Sequence, residues 1–251
     1  MDLKLGGKVA IVTGGASGGL GENMAARLLE EGCRVMVADR DAGRNAELVA
    51  RLAPLGEVAG HVADVSTDDF AEPLAAATVA VFAGIDVVVN NAATYPSHPW
   101  NEYTVAEWDR TIDTNLRSLF LMSKATVPHI AARGGGSIVN IGSITFAIGM
   151  ANILPYVTSK GGLVGFTRAL AREVGAQNIR VNNISPGAFP TGGETIHPDP
   201  EGYSRFVIEQ QSLKRRGTAD DLADAVAFLA SGRASFITGQ TLQVCGGWAF
   251  H

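Results

Sequence analysis

The sequence of 251 residues predicts an α/β fold, with a single domain built on a doubly wound, seven-stranded parallel sheet. Short runs rich in Val and Ile alternate with longer segments of helical periodicity, which is typical of a parallel sheet with crossover helices. No linker, repeat or low-complexity tract divides the chain, and α/β folds of this length commonly form one domain. Hydrophobic residues make up 46 % of the sequence and charged residues 18 %, which suits a large buried sheet.

The elements follow one another in a regular order. Strands are expected near residues 8–13, 34–38, 57–63, 86–90, 136–142, 179–184 and 241–245. Helices fill the intervals, at about residues 20–31, 42–53, 67–83, 104–130, 156–176 and 218–231. The last helix opens with Thr218 and, three residues later, Asp221, a variant of the capping box. Pro128 has no backbone N–H, so we expect it to kink or end the fourth helix.

Charge and cysteine content narrow the class of protein. The net charge of −5 gives no electrostatic case for binding nucleic acid or an anionic membrane. Only Cys33 and Cys245 occur, which favours neither a disulfide framework nor a zinc site and fits a reducing compartment. The N-terminus does not resemble a signal peptide, and apolar runs stop short of membrane-spanning length. We therefore expect a cytoplasmic protein without a metal, whose partner is a small molecule.

The stretch VTGGASGGLG, residues 12–21, follows the first strand directly and opens the first helix. Glycines there allow a sharp turn and let a phosphate approach the backbone N–H groups at the start of the helix. The stretch therefore predicts a dinucleotide-binding loop. The expected contacts in this loop are Gly14, Ser17, Gly19, Leu20 and Gly21.

Acidic residues after the next two strands indicate which dinucleotide is bound. Asp39 ends the second strand, where a carboxylate accepts the ribose hydroxyls of NAD and repels the 2′-phosphate of NADP. Arg40 could instead pair with that phosphate, so NADP stays open as the less favoured cofactor. Asp64, after the third strand, is placed to meet the adenine amino group. The sequence thus predicts NAD.

Motifs further along the chain carry a family resemblance. GSIVNIGS ends at Ser143, and YVTSK runs from Tyr156, 13 residues later, to Lys160. DTNLRS adds Asn115, and NISPGAFPT follows at residues 183–191. With these elements in this order, the chain from residue 8 to residue 247 resembles the short-chain dehydrogenase/reductase family.

This resemblance implies a Rossmann-like fold and an enzyme that transfers a hydride between its substrate and a nicotinamide cofactor. It implies four catalytic residues, which are Asn115, Ser143, Tyr156 and Lys160. Beyond the glycine loop and Asp39, it implies cofactor contacts at Asp64, Val65, Asn91, Tyr156, Lys160, Pro186, Gly187 and Thr191. The family is commonly tetrameric, so we expect a homotetramer or a homodimer.

The chemistry requires these residue types. A free tyrosine has a pKa of about 10, and Lys160, one helical turn beyond Tyr156, is expected to favour the phenolate. Tyr156 would then take or return the alcohol proton as general base or acid. Ser143 would hydrogen-bond the reacting oxygen, and Lys160 would also hold the nicotinamide ribose. Asn115 is expected to anchor a water that relays protons.

Three positions depart from the family pattern. Ala93 replaces the glycine of Asn-Asn-Ala-Gly, which is tolerable if its φ stays negative. Cys245 replaces an aspartate and is expected to be a packed small hydrophobe. Four residues lie between Gly14 and Gly19 where the family usually has three. We therefore expect residues 15–18 to form a slightly bulged loop that still faces the pyrophosphate.

The substrate pocket is expected to use residues 94–100, residues 144–155 and a substrate lid at about 187–212. The predicted substrate contacts are Tyr95, Ser143, Phe146, Asn152, Tyr156 and Phe189. This mostly apolar set suits an aryl or alkyl secondary alcohol, with a sugar or polyol as an open alternative. The C-terminal tail is expected to pack across a subunit boundary, and the pair Gly161–Gly162 to permit close helix packing.

The leading hypothesis is an NAD-dependent oxidoreductase that interconverts a secondary alcohol and its ketone. Arg40 keeps open an NADPH-dependent 3-oxoacyl thioester reductase, although the glycine loop holds no basic residue to support it. A nucleotide-binding regulatory protein without turnover is a third possibility. The complete Asn–Ser–Tyr–Lys set argues against that third reading.

Overall fold

The computed structural model describes residues 2–16, 19–191 and 199–250. Seven strands pair in parallel in one sheet, in the order β3-β2-β1-β4-β5-β6-β7. The strands are β1 Val9–Thr13, β2 Arg34–Asp39, β3 Val58–Val62, β4 Val87–Asn90, β5 Gly136–Ile141, β6 Ile179–Pro186 and β7 Thr241–Val244. The chain winds outward from β1 in one direction and from β4 in the other. This confirms the doubly wound sheet, and it opens a crevice at the carboxyl ends of β1 and β4.

The α-helices of the described residues cover both faces of the sheet. They are α1 Leu20–Glu30, α2 Ala42–Leu52, α3 Ala71–Phe82, α4 Val105–Ile112, α5 Ser118–Ala132, α6 Thr145–Ile148, α7 Leu154–Val174, α8 Pro200–Gln210 and α9 Ala219–Ala230. Successive residues of β1 point into different cores. Val12 belongs to a cluster with residues of α1 and α9, whereas Ile11 belongs to a cluster with residues of α3 and α5. A strand covered on both faces is buried throughout, which explains its unbroken apolar sequence.

The predicted fourth helix, at residues 104–130, is divided in the structure. The helix α4 starts with a capping box between Thr104 and Glu107, and a π-helical turn at Asp113–Arg117 separates it from α5. Pro128 lies inside α5, which continues to Ala132, so Pro128 does not end the helix. Pro128 lies on the exposed side of α5, where water can satisfy the carbonyl that a proline leaves unbonded.

The predicted lid contains a helix that sequence analysis missed. The helix α8 begins with Asp199, whose side chain accepts a hydrogen bond from Gly202 N–H, and with Pro200 in its first turn. Asp and Pro in these positions are a helix-start signal, but the high Gly and Pro content of the segment suggested irregular structure.

The predicted capping box of α9 between Thr218 and Asp221 is present. Within the described ranges, no helix is both long and apolar enough to cross a bilayer.

Candidate active site

The carboxyl ends of β1, β4, β5 and β6 surround a cavity of about 860 Å³. It is lined by residues of the glycine loop, of the loops after β4, β5 and β6, and of α7; these include Gly14, Gly19, Leu20, Asn91, Ser143, Tyr156, Lys160, Pro186, Gly187 and Thr191. A second cavity of about 430 Å³ lies beside Thr94 and Arg110, and Ser143, Tyr156 and Lys160 are not among its lining residues. The larger cavity therefore joins the expected cofactor and catalytic residues.

The glycine loop is packed closely at two of its glycines. Gly14 has a φ of +69°, and a Cβ there would lie 2.7 Å from Ala92 Cα. A Cβ at Gly21 would lie 2.5 Å from the carbonyl oxygen of Gly14, so α1 meets the turn backbone to backbone. The amide of Asn91 donates to the carbonyls of Thr13 and Gly14, both at 3.0 Å, and ties this turn to β4.

The start of α1 is open towards the cavity. Gly19 is the N-cap residue of α1, and a Cβ there would meet no atom within 4 Å. This arrangement fits the alignment of the glycine motif in which Gly14, Gly19 and Gly21 are the three glycines that face the cofactor. The predicted contact Ser17, and with it part of the predicted bulge, lies outside the described residues.

The carboxylate of Asp39 lies beneath the glycine loop. Its Oδ2 accepts a hydrogen bond of 2.9 Å from Ala16 N–H, and the residue is 6 % exposed. Arg40 is exposed beside it. At the end of β3, Asp64 accepts hydrogen bonds from the backbone and hydroxyl groups of Ser66. Burial alone would raise the pKa of Asp64, but these bonds outweigh burial and leave the pKa lowered.

The hydroxyl of Ser143 lies directly after β5. Its Oγ accepts hydrogen bonds from Thr145 N–H at 3.2 Å and from Thr145 Oγ1 at 3.0 Å. Two donors to one hydroxyl oxygen leave its own proton available for another acceptor. Thr145 also lines the cavity, and sequence analysis did not single it out.

Tyr156 and Lys160 lie on one face of α7, as their spacing predicts. The ammonium of Lys160 lies 5.4 Å from the centroid of the Tyr156 ring, and it donates a hydrogen bond of 2.7 Å to the carbonyl of Ile141. Burial lowers the pKa of Lys160 to about 7. Burial also raises the pKa of Tyr156 to about 12, against the opposing effect of a hydrogen bond with Ser143.

The expected lowering of the Tyr156 pKa by Lys160 is therefore absent in this structure. The physical reason is that removal from water disfavours both charged forms, the phenolate of Tyr156 and the ammonium of Lys160. A positive charge brought into the cavity would be needed to favour the phenolate.

Asn115 is completely buried in the π-helical turn. Its Oδ1 accepts a hydrogen bond from Thr94 N–H, and its Nδ2 donates to Thr94 O and to Ser159 Oγ. The side chain therefore joins the loop after β4 to α7. The chain itself supplies partners for the side-chain amide, and the expected role of Asn115 as a water anchor stays a prediction.

Of the predicted substrate contacts, Tyr95, Asn152 and Phe189 line the cavity. The ring of Tyr95 meets that of Tyr156 edge-on, with centroids 5.7 Å apart. Phe189 is only 6 % exposed and packs over Gly217, so it presents little surface to a substrate. The expectation for Phe146 is not met.

Phe146 is absent from the described lining of the cavity and packs over α7 instead. A Cβ at Gly161 would lie 2.9 Å from its ring, and one at Gly162 would lie 2.8 Å from Leu116. The glycine pair thus admits side chains of its own chain, whereas close packing between subunits was expected. Because glycine leaves a recess at this point of α7, Phe146 fills it rather than the pocket.

The C-terminal tail packs on its own chain. Trp248 lines the cavity, and its ring meets that of Phe206 on α8 edge-on at 5.8 Å. Tyr203, also on α8, lines the cavity too. Sequence analysis did not place either Tyr203 or Trp248 in the pocket.

The two other departures from the family pattern are accommodated, since Cys245 is 5 % exposed and Ala93 has no positive φ.

Comparisons with known proteins give matches that cover nearly the whole chain. A family model described as enoyl-(acyl carrier protein) reductase matches residues 15–249. The (2S)-[(R)-hydroxy(phenyl)methyl]succinyl-CoA dehydrogenase subunit BbsD of Thauera aromatica is 37 % identical over 241 residues, 96 % of each chain. D-xylose 1-dehydrogenase of Caulobacter vibrioides is 36 % identical, over 97 % of this chain and 96 % of the relative. The structure of L-sorbose reductase from Gluconobacter frateurii, complexed with NADPH and L-sorbose, has a TM-score of 0.94 at 29 % identity and covers 100 % of both chains.

The fold and the cavity at its carboxyl edge define an oxidoreductase built on a Rossmann-like domain. The chain belongs to the short-chain dehydrogenase/reductase family, as its motifs indicated. Members of this family act on CH–OH groups and bind nicotinamide cofactors. The described residues fit such a cofactor, because the open start of α1 and the buried Lys160 line one continuous cavity.

Proposed function

We propose that the protein interconverts a secondary alcohol and its ketone, with NAD as the preferred cofactor. The observation that carries this proposal is the cavity itself, which joins the glycine loop to Ser143, Tyr156 and Lys160. A binding protein would not require a tyrosine, a serine hydroxyl and a buried lysine to converge at the end of a dinucleotide site.

The cofactor would lie along the carboxyl edge of the sheet. Gly14, Gly19, Leu20 and Gly21 would receive the pyrophosphate at the start of α1, where backbone N–H groups favour an anion. Asp64, Val65 and Asn91 would border the adenosine. Pro186, Gly187 and Thr191 would border the nicotinamide carboxamide, and Lys160 would hold the adjacent ribose.

The preference for NAD rests on Asp39. Its buried carboxylate lies at the end of β2, against the backbone of the glycine loop. A 2′-phosphate placed there would meet a negative charge, whereas ribose hydroxyls would meet an acceptor. Arg40 and the NADPH bound by the related sorbose reductase support the alternative, use of NADP.

Each of the converging residues has its own role in the proposed reaction. Tyr156 takes the proton of the substrate hydroxyl during oxidation and returns it during reduction. Ser143 donates a hydrogen bond to the same oxygen and so orients the carbinol carbon. A nicotinamide held by these residues would supply the redox chemistry, as the hydride acceptor for oxidation and the hydride donor for reduction. Asn115 positions the loop after β4 against α7.

The pKa of Tyr156 gives the proposal a pH dependence. The tyrosine must lose its proton before it can act as a base, and its pKa of about 12 lies above neutral pH. The positive charge of an oxidised nicotinamide bound in the cavity would lower that pKa. We therefore propose that oxidation accelerates as pH rises, while reduction, which needs protonated Tyr156, does not.

The test is turnover of the purified protein with NAD and with NADP over a panel of secondary alcohols, sugars and 3-oxoacyl thioesters. We expect kcat/KM to be higher with NAD, and Tyr156→Phe to lower kcat by at least about a hundredfold, the usual scale of general acid–base catalysis. Equilibrium binding of NAD to Tyr156→Phe should be retained, which separates loss of chemistry from loss of the fold.

Other outcomes would point elsewhere. A marked preference for NADP would overturn the role of Asp39, and turnover of 3-oxoacyl thioesters alone would favour the reductase alternative. Cofactor binding without turnover of any compound would favour a regulatory protein. We also propose a cytoplasmic homotetramer or homodimer, which light scattering on the purified protein would test.

A further inference from the structure

The C-terminal tail is anchored to the segment that follows α8. Gly246 and Gly247 have φ values of +63° and +77° and turn the chain back. Leu213 N–H donates a hydrogen bond of 2.9 Å to Gly246 O, and Ser212 Oγ donates one of 3.2 Å to Gly247 O. A Cβ at Gly247 would lie 2.7 Å from Ser212 Oγ, so the tail and this segment are in close contact. Hydrogen bonds to the carbonyls of Gly246 and Gly247 therefore fix the chain just before Trp248.

This anchoring assembles three aromatic rings, which we call the aromatic wall: Tyr203, Phe206 and Trp248. The ring of Phe206 lies 5.8 Å from that of Trp248 and 6.5 Å from that of Tyr203, measured between centroids. Phe206 is on the outer side and 44 % exposed, while Tyr203 and Trp248 line the cavity that contains Ser143 and Tyr156. The wall thus presents aromatic surface to the space where a substrate must lie.

The described residues that line the rest of the cavity include few charged side chains. Among the lining residues that the structure describes, the charged side chain is Lys160, whose ammonium is bonded to the carbonyl of Ile141. On the side of the loops after β4 and β5, apolar groups such as Tyr95, Met150 and Ile153 outnumber polar ones such as Asn152. A polyol would find hydrogen-bond partners here in only part of the lining, chiefly Ser97, Thr145 and Asn152, and would lie against apolar surface elsewhere. An aryl or alkyl group would exchange water for aromatic contact.

We propose that the substrate carries an aryl or extended alkyl group beside its carbinol carbon, and that Trp248 determines this specificity. The group lies against the aromatic wall while the hydroxyl faces Ser143 and Tyr156. This inference rests on the proposed function for its reactive end, but the apolar subsite can be tested by binding alone.

The first experiment compares kcat/KM for 1-phenylethanol, 2-propanol and xylitol in the wild type, Trp248→Ala, Trp248→Phe and Phe250→Ala. We expect the wild type to prefer 1-phenylethanol. Trp248→Ala should lower kcat/KM for that alcohol about tenfold, mainly through a higher KM, and change the value for 2-propanol less than about twofold. Trp248→Phe should restore most of the loss. Phe250 is on the same tail but 80 % exposed, so Phe250→Ala should behave as the wild type does.

The second experiment measures equilibrium binding of acetophenone to Tyr156→Phe loaded with NADH, and to the same variant with Trp248→Ala added. We expect about tenfold weaker binding when Trp248 is absent. If acetophenone binds in this way but the wild type turns over no alcohol, the proposed function fails and the apolar subsite stands. Equal losses for 1-phenylethanol and 2-propanol, or a wild-type preference for xylitol, would overturn the inference itself.

Discussion

The hydroxyl of Ser143 shows how a neighbouring residue orients a proposed catalytic group. Because Thr145 donates both its N–H and its hydroxyl to Ser143 Oγ, the serine proton is directed away from Thr145. A substrate oxygen, or Tyr156, is then the acceptor that remains. Thr145 is in this sense a positioning residue.

We predict that Thr145→Val lowers kcat about three- to tenfold and leaves KM for the alcohol nearly unchanged. The change removes one hydroxyl donor, and one neutral hydrogen bond corresponds to about that factor. Thr145→Ser should restore kcat, and Thr158→Val, on the exposed side of α7, should have no effect. Steady-state kinetics across pH measures this; equal kcat in Thr145→Val and the wild type would contradict it.

At the scale of elements, the π-helical turn between α4 and α5 places Asn115. A π-helical turn often marks a functional site, and here it lies where the helix passes both the loop after β4 and α7. The amide of Asn115 bonds both the N–H and the C=O of Thr94. With its further bond to Ser159 Oγ, the side chain connects two elements that are far apart in the sequence.

We predict that Asn115→Ala lowers the free energy of unfolding by about 1–3 kcal/mol, because it leaves the half-buried N–H and C=O of Thr94 without the side chain that bonds both. The variant should also lose activity, since the loop that carries Tyr95 is no longer held. Urea denaturation measures the first effect. Thr158→Val is a suitable control for a loss of one exposed hydroxyl, and a variant as stable as the wild type would refute the positioning role.

Across the whole molecule, the proposed active site and a buried ion-pair cluster lie at opposite edges of the sheet. At the amino edge, the buried carboxylate of Asp86 accepts hydrogen bonds from Val9 N–H and from Lys8 Nζ, and pairs with Arg133. Burial alone would raise the pKa of Asp86, but these partners outweigh it and leave the pKa lowered. One carboxylate thus joins β1, the start of β4 and the residue after α5.

We predict that Asp86→Asn lowers the free energy of unfolding at pH 7 by about 1–3 kcal/mol. Because the pKa of Asp86 is depressed in the folded state, its contribution is fully present above the unfolded value of 3.8 and is lost as pH falls through the folded value. The difference between wild type and variant should therefore shrink in acid. Asp68→Asn, at a side chain 79 % exposed, should change stability by less than about 1 kcal/mol. A pH-independent difference at Asp86 would contradict this account.

The sequence alone predicted the seven strands, most of the helices between them and the motifs that meet at the carboxyl edge of the sheet. Strand periodicity and short motifs such as YVTSK are local signals, and parallel winding brings their ends together without further information. The tertiary structure alone decided which side chains fill the space between those motifs. Phe146 turns onto Gly161, Thr145 bonds Ser143, and Trp248 enters the cavity, because each position depends on which surfaces distant segments bring into contact.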